Sequence, residues 1–163
     1  MENIVLQQSI VQHSRMLYDS FRRYHDVNLI DGEFRSDEDL ASALYHAEFV
    51  LVSHDTQDDP VFNYANEVAQ ILWEMTWDEF VGLPSKFSAE PVSMEERRRS
   101  LDKARQAGVI RHYDAVRISR SGRRFWIRDA SLWNVYDNDN SYCGQAAMFR
   151  RWEFIVHDST VNK

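Results

Sequence analysis

The sequence predicts an α+β fold with one five-stranded antiparallel sheet, covered on one face by short helices and preceded by a helical extension. Three observations carry that prediction. Two short apolar, β-branched runs, "EFVLVSH" and "VFNYA", lie before the middle of the chain. Capped helical segments follow them. The last third is given over to long β-rich runs joined by hairpin turns.

Taken in order, Leu6, Ile10, Leu17, Phe21 and Tyr24 recur at helical steps between Glu2 and Tyr24, with Val5 and Met16 beside them. This amphipathic stripe suits either a seam between two copies, with Leu6, Ile10, Leu17 and Phe21 as its interface, or packing on the same chain. His13 and Ser20 stand where a two-helix seam would want apolar residues. Asp31-Gly32 marks a turn, and Ser36 caps a second helix with an acidic first turn. Glu48 to His54 reads as a buried strand. The polar connector "DTQDDP", closed by Pro60, leads to the second strand, and Asn66 caps the helix "EVAQILWEM". Thr76 caps "WDEF", which Leu83-Pro84-Ser85 ends. "SMEERRRSLDKARQAG" is predicted to be the clearest helix, with Ser93 and Glu96 as a capping box and Gly108 as its stop. "VIRHYDAVRIS", "RRFWIRDASLWNVYD" and "YCGQAAMFRRWEFIV" then form a meander, turning at Arg120-Ser121-Gly122 and Asp137 to Asn140. The expected division is a helical extension over 1–46, a sheet domain over 47–157 and a tail over 158–163.

The 163 residues suit one domain, and with 44% apolar and 13% aromatic residues the core is expected to be built around large rings. A formal charge of −7 argues against a nucleic-acid surface, because phosphate binding relies on Lys and Arg displacing counterions. The single cysteine, Cys143, forms no internal disulfide. With no apolar run long enough for a bilayer, no membrane association is expected, and the expected compartment is the cytoplasm.

The stretches "SHDTQDDPVFNYAN", "LWEMTWDEFVGLPSKFSAEP", "RISRSGRRFWI", "WNVYD" and "GQAAMFRRW", in this order, resemble the MEKHLA domain, a PAS-related family. The similarity runs from about Leu40 to Phe154. The family occurs as stand-alone bacterial proteins, the type this chain resembles, and at the end of plant homeodomain leucine-zipper factors. The resemblance implies a PAS-like fold and a role in sensing or protein association, with no assigned chemistry. It also implies that Asn66 is a structural clamp between the second strand and the first short helix. The flavin-reactive cysteine motif of light-sensing PAS relatives is missing, and the long helix offers no histidine to a haem, so no cofactor is identified.

Strand alternation puts Phe125, Ile127, Asp129, Ser131, Trp133 and Val135 on one face, and Gln145 with Ala147 and Phe149 on the inner face of the last strand. A PAS-type pocket would then be lined by Trp73, Trp77, Phe80, Phe125, Trp133 and Phe149, with Asp129, Ser131 and Gln145 orienting a small ligand. A filled core with an internal hydrogen-bond network is the alternative. His54, Asp55, Asp58 and Asp59 match no compact metal motif, and they read as a turn closed by Pro60 rather than as a metal or catalytic site. Three functions stay open: a sensor signalling through association, a ligand-free dimerisation or docking module, and a small enzyme with Asp129 or His54 as base. A homodimer and a signalling protein are the expected partners.

Overall fold

Local signals set most element boundaries in the computed structural model, which describes residues 7–156. Helix α1 spans Gln8–Tyr24, and α2 (Asp37–Tyr45) starts where the Ser36 hydroxyl accepts the Asp39 N–H at 3.1 Å. Strands β1 (Val50–His54) and β2 (Phe62–Ala65) lead to α3 (Glu67–Trp73), capped by Asn66, and α4 (Trp77–Phe80), closed by a capping box between Thr76 and Glu79. A 3-10 turn over Ser85–Ser88 precedes α5 (Pro91–Ala107). This long helix begins two residues before Ser93, so the expected capping box is absent. Pro91 takes the first position, where its fixed φ suits a helix and its missing N–H costs nothing. Gly108 ends α5 at φ 89°, with the Tyr24 ring packed where a Cβ would stand, 2.5 Å away.

The last third folds into β3 (Val109–Ile118), β4 (Arg124–Tyr136), β5 (Tyr142–Phe149) and β6 (Arg151–Phe154). The order across the antiparallel sheet is β2-β1-β5-β4-β3, and β6 continues the line of β5 along β4. The final β run thus yields two strands, broken at Arg150.

The short helices cover one face. There Val50, Val52, Phe62, Phe125, Ile127 and Phe149 meet Ala69, Leu72, Trp73 and Phe80. The helical extension covers the other. Ile10, Leu17 and Phe21 are buried there with Leu40, Leu44, Leu51, Tyr64, Trp133, Val135, Ala146 and Met148. Of the two uses expected for this stripe, packing on the same chain is the one its described residues take, and Ile10, Leu17 and Phe21 are not free as an interface between copies, because the strands present a second apolar face that must leave water. Leu6 lies outside the described residues. The polar residues of the stripe are docking groups: Ser20 Oγ accepts the Tyr136 N–H at 2.9 Å, and His13 Nε2 lies 2.8 Å from Ser53 Oγ.

Alternation along β4 reverses in mid-strand. Phe125 and Ile127 face the short helices, whereas Trp133 and Val135 face α1. Between them Asp129 adopts φ 56°, and His112, whose ring contacts the Asp129 carboxylate from β3, does the same. An extra residue in each strand flips every later side chain to the other face. Register with the next strand survives, Ser131 opposite Met148 and Arg128 opposite Arg151, because that strand is interrupted at the same level, at Arg150.

Asn66 ties both layers together. Its Oδ1 accepts the N–H groups of Leu51 (3.1 Å) and Ala69 (3.2 Å), and its Nδ2 donates to Phe49 O (2.8 Å) and Leu44 O (3.2 Å). Asn66→Ala should therefore cost about 2–4 kcal/mol, from one lost cap plus buried groups left unpaired, against about 1 kcal/mol for Ser36→Ala at an exposed cap. Urea midpoints of the two variants check this, and equal losses would contradict it.

Burial also pushes the pKa values of His13 and His54 down to about 4. Between pH 6.5 and 4 the unfolded chain takes up protons that the folded chain refuses, so stability should fall as pH drops through that window and be constant above it. The loss is up to about 3 kcal/mol per histidine. Urea titrations at pH 7, 5.5 and 4.5 would show it, with a shallower decline for His54→Gln.

Candidate functional site

Side chains that the alternation points toward the short helices do not fill the space beneath α5. A cavity of about 60 Å³ remains, walled by Val52, Phe62, Trp73, Ile127, Ala147 and Phe149. It adjoins a surface cleft of about 560 Å³ between residues 55–60 and α5, and His54, Arg97, Leu101 and Gln145 line both spaces. Each of the four is placed by its element. His54 follows Val50 and Val52 on the inner side of β1, directly across from Gln145 on β5. Arg97 shares an inward stripe of α5 with Leu101 and Ala104, at steps of four and three. The close approach of β1 and β5 requires glycine at 144, where φ is 136° and a Cβ would stand 1.9 Å from His54 O.

The polar groups at this site are poorly matched by the protein. Arg97 is 8% exposed, and its Nη2 donates to Ser85 Oγ at 2.6 Å. Arg117, on β3 two residues beyond Ala115, is 7% exposed and donates to Val116 O at 2.8 Å and to the Tyr113 hydroxyl at 3.2 Å. Tyr113 in turn donates to the Glu96 carboxylate at 3.0 Å. Burial first, and the Arg117 charge nearby second, lower the Arg97 pKa to about 10. His54 Nδ1 lies 2.9 Å from Asp55 O, and since a carbonyl only accepts, the ring proton sits on Nδ1. His54 Nε2 is therefore a lone-pair acceptor, buried and without a partner among the described residues, and the Trp73 indole N–H is a buried donor without one among them. Gln145 Nε2 donates to Leu101 O at 2.9 Å, pinning α5 to the sheet.

The residues expected to line one pocket are divided among five places. Trp73, Gln145 and Phe149 line the cavity. Phe125 and Phe80 back the Trp73 ring, with centroids at 5.2 and 5.7 Å, as core rather than as wall. Trp133 and Ser131 lie on the opposite face: Trp133 packs edge-on against Phe21 at 4.9 Å, and Ser131 Oγ is 3.2 Å from His25 Nε2. Trp77 packs over Tyr64 at 5.6 Å, away from the cavity. Asp129 is on the surface, 2.6 Å from His112 Nδ1. The reversal at Asp129 is the cause, since it carries Ser131 and Trp133 to the side of α1.

Around the mouth, Asp55 organises the connector by accepting the Val61 and Gln57 N–H groups, and Asp59 pairs with Lys86 at 3.1 Å. Pro60 O accepts the Ser85 N–H at 2.8 Å. Among the described residues, no three His, Cys, Asp or Glu side chains converge to hold a metal, and no helix is long and apolar enough to cross a membrane. Cys143 is half-buried. Burial and Asp137 raise its thiol pKa, which disfavours the reactive thiolate.

Arg97, Arg117, Tyr113 and Ser85 were not singled out by sequence. The available signal was the placement of Arg97 in the stripe of Leu101 and Ala104, and of Arg117 in the alternation with Ala115.

No curated protein matches the chain in sequence. Among solved structures, a PAS domain from Colwellia psychrerythraea superposes with a TM-score of 0.59 at 16% identity, covering 71% of this chain and 92% of that one. An RNA-binding light-oxygen-voltage receptor gives 0.60 at 18% identity, over 75% of this chain and 36% of the receptor. A light-oxygen-voltage domain studied with a flavin analogue gives 0.51 at 17%, over 72% and 85%. These likenesses show the PAS fold. The MEKHLA domain model matches residues 11–154, from within α1 to the end of β6, and the chain therefore belongs to the MEKHLA domain family.

Proposed function

We propose that this chain is a PAS-type sensory module that takes a small molecule in the cavity beneath α5 and passes on its occupancy through a change in association. The observation that carries this reading is the buried, unpartnered Nε2 of His54 at the junction of cavity and cleft, beside Arg97. Polar groups in protein interiors are almost always paired, and unpaired ones cost about 1–3 kcal/mol each. A ligand that pairs them recovers that cost on binding.

Binding is favoured over catalysis by the same geometry. The described residues place no nucleophile in hydrogen-bond reach of His54, and Asp129, the other candidate base, is on the surface away from the cavity. The ligand would touch α5, whose tie to the sheet runs through Gln145 and Leu101, and would touch β5, whose other face holds α1. One strand thus contacts both the cavity and the helical extension. A partner, whether a second copy or a signalling protein, would read the resulting shift in population. A ligand-free docking role has one observation of its own, the exposed side chains of Ile71, Phe87 and Val92 on the side of the short helices.

Native mass spectrometry of the purified protein should show an extra mass that disappears on denaturation. Ala147→Phe, which places a ring in the cavity, should abolish that mass while the chain stays folded. A bare chain mass, together with no thermal stabilisation by any small molecule in a broad metabolite screen, would favour the docking role instead.

A further inference from the structure

We infer, on the reading that the cavity holds a ligand, that this ligand is a small carboxylate with a short apolar body and a hydroxyl group beside the carboxylate. Two buried guanidinium groups face one small space. Among the described residues, neither Arg97 nor Arg117 has a carboxylate within 4.0 Å. Glu96 reaches Arg117 only through the Tyr113 hydroxyl, and Asp59 is held by Lys86. Arg97 spends one bond on Ser85 and Arg117 two on Val116 O and Tyr113, so most of their N–H donors have no protein acceptor. Asp59 and Glu96 act on Arg97 only from a distance, and buried like charges with no carboxylate in direct contact are unfavourable, so an anion entering from the cleft relieves both at once. A planar carboxylate matches the fork of a guanidinium.

The remaining features narrow the class. His54 offers only a lone pair at Nε2, so the ligand must bring a hydrogen-bond donor to that point, close to the group that meets Arg97. A hydroxyl does so without adding charge, whereas an ammonium group would sit against the two arginines. The other walls are apolar: Val52, Phe62, Ile127 and Phe149. They suit a short hydrocarbon body and disfavour a phosphate dianion, which would need donors all round.

The test is isothermal titration of the purified full chain, refolded from denaturant to strip any bound molecule. Three probes are used: 2-hydroxybutyrate, butyrate and the neutral 2-hydroxybutyramide. Butyrate should bind about tenfold more weakly than the hydroxy acid, the effect of one lost hydrogen bond to a buried group, and the amide more weakly still. His54→Leu should bring the hydroxy acid down to the butyrate level without affecting butyrate. Arg97→Met should remove binding of both acids, and Arg117→Met serves if that variant fails to fold. An amide that binds as well as the acid would overturn the carboxylate assignment while leaving the ligand-binding reading intact. The same holds if none of the probes binds yet the native protein releases a non-acidic molecule. If no probe binds and no molecule is released, both readings fall together.

Discussion

A single-layer sheet whose strands are apolar on both faces has to be covered on both, and the rest of this structure follows from how that is done. One cover is the set of short helices with α5. The other is α1, whose stripe of Ile10, Leu17 and Phe21 closes over Trp133, Val135 and Met148. The reversal of alternation at His112, Asp129 and Arg150 apportions the large rings between the two sides. It sends Phe125 and Ile127 to one core and Trp133 to the other. Uninterrupted alternation along β4 would have put Trp133 and Val135 under the short helices with Phe125 and Ile127, and left the seat of α1 to Leu51, Tyr64, Ala146 and Met148.

The cavity is also where the structure departs most from an ordinary core. The α1 side is closed by rings and aliphatic chains, and although Ser20 is satisfied by backbone, the Tyr64 hydroxyl and the Trp133 indole N–H are buried there without a partner among the described residues. The α5 side keeps two arginines, a neutral histidine and a free indole N–H around a small space. Groups of this kind are seldom retained in a protein interior for stability, since well-packed apolar residues of the same volume would serve as well or better. Their concentration at the inner end of a cleft separates a binding role from a merely packed domain.

Much of this was legible in the residues. The caps at Ser36, Asn66 and Thr76, the stop at Gly108 and the hairpins of the last third are local signals, and each acts within a few residues of itself. The pocket set was only partly legible. Strict alternation along "RRFWIRDASLWNVYD" put Asp129, Ser131 and Trp133 beside Phe125, and no residue type in that run announces a bulge: an Asp at positive φ carries no mark that an Asp elsewhere lacks. The arginines were missed for a different reason. Arg97 sits among charged neighbours, in "EERRRS", and Arg117 stands alone in the strand run "AVRIS", where a charged side chain reads as solvent-facing; the packing of α5 on β3 is what removes both from water. The apolar stripe of α1 was clear, but its partner was not. Any apolar surface would satisfy it, and the nearest proved to be the chain's own sheet.

The central position of β5 has a further consequence, for the order in which the molecule can assemble. β1 with β2 and β3 with β4 are local pairs, but the two halves meet only through β5, which follows all four in the sequence. Two-stranded ribbons are marginal by themselves, so neither half of the sheet is independently stable before β5 enters between them. The α1 stripe has to wait as well, because its seat is built from β1, β4 and β5 together. Folding is thus dominated by contacts between distant parts of the chain, which makes it slow, and the unpaired edges of β1 and β4 stay open to aggregation until β5 pairs with them.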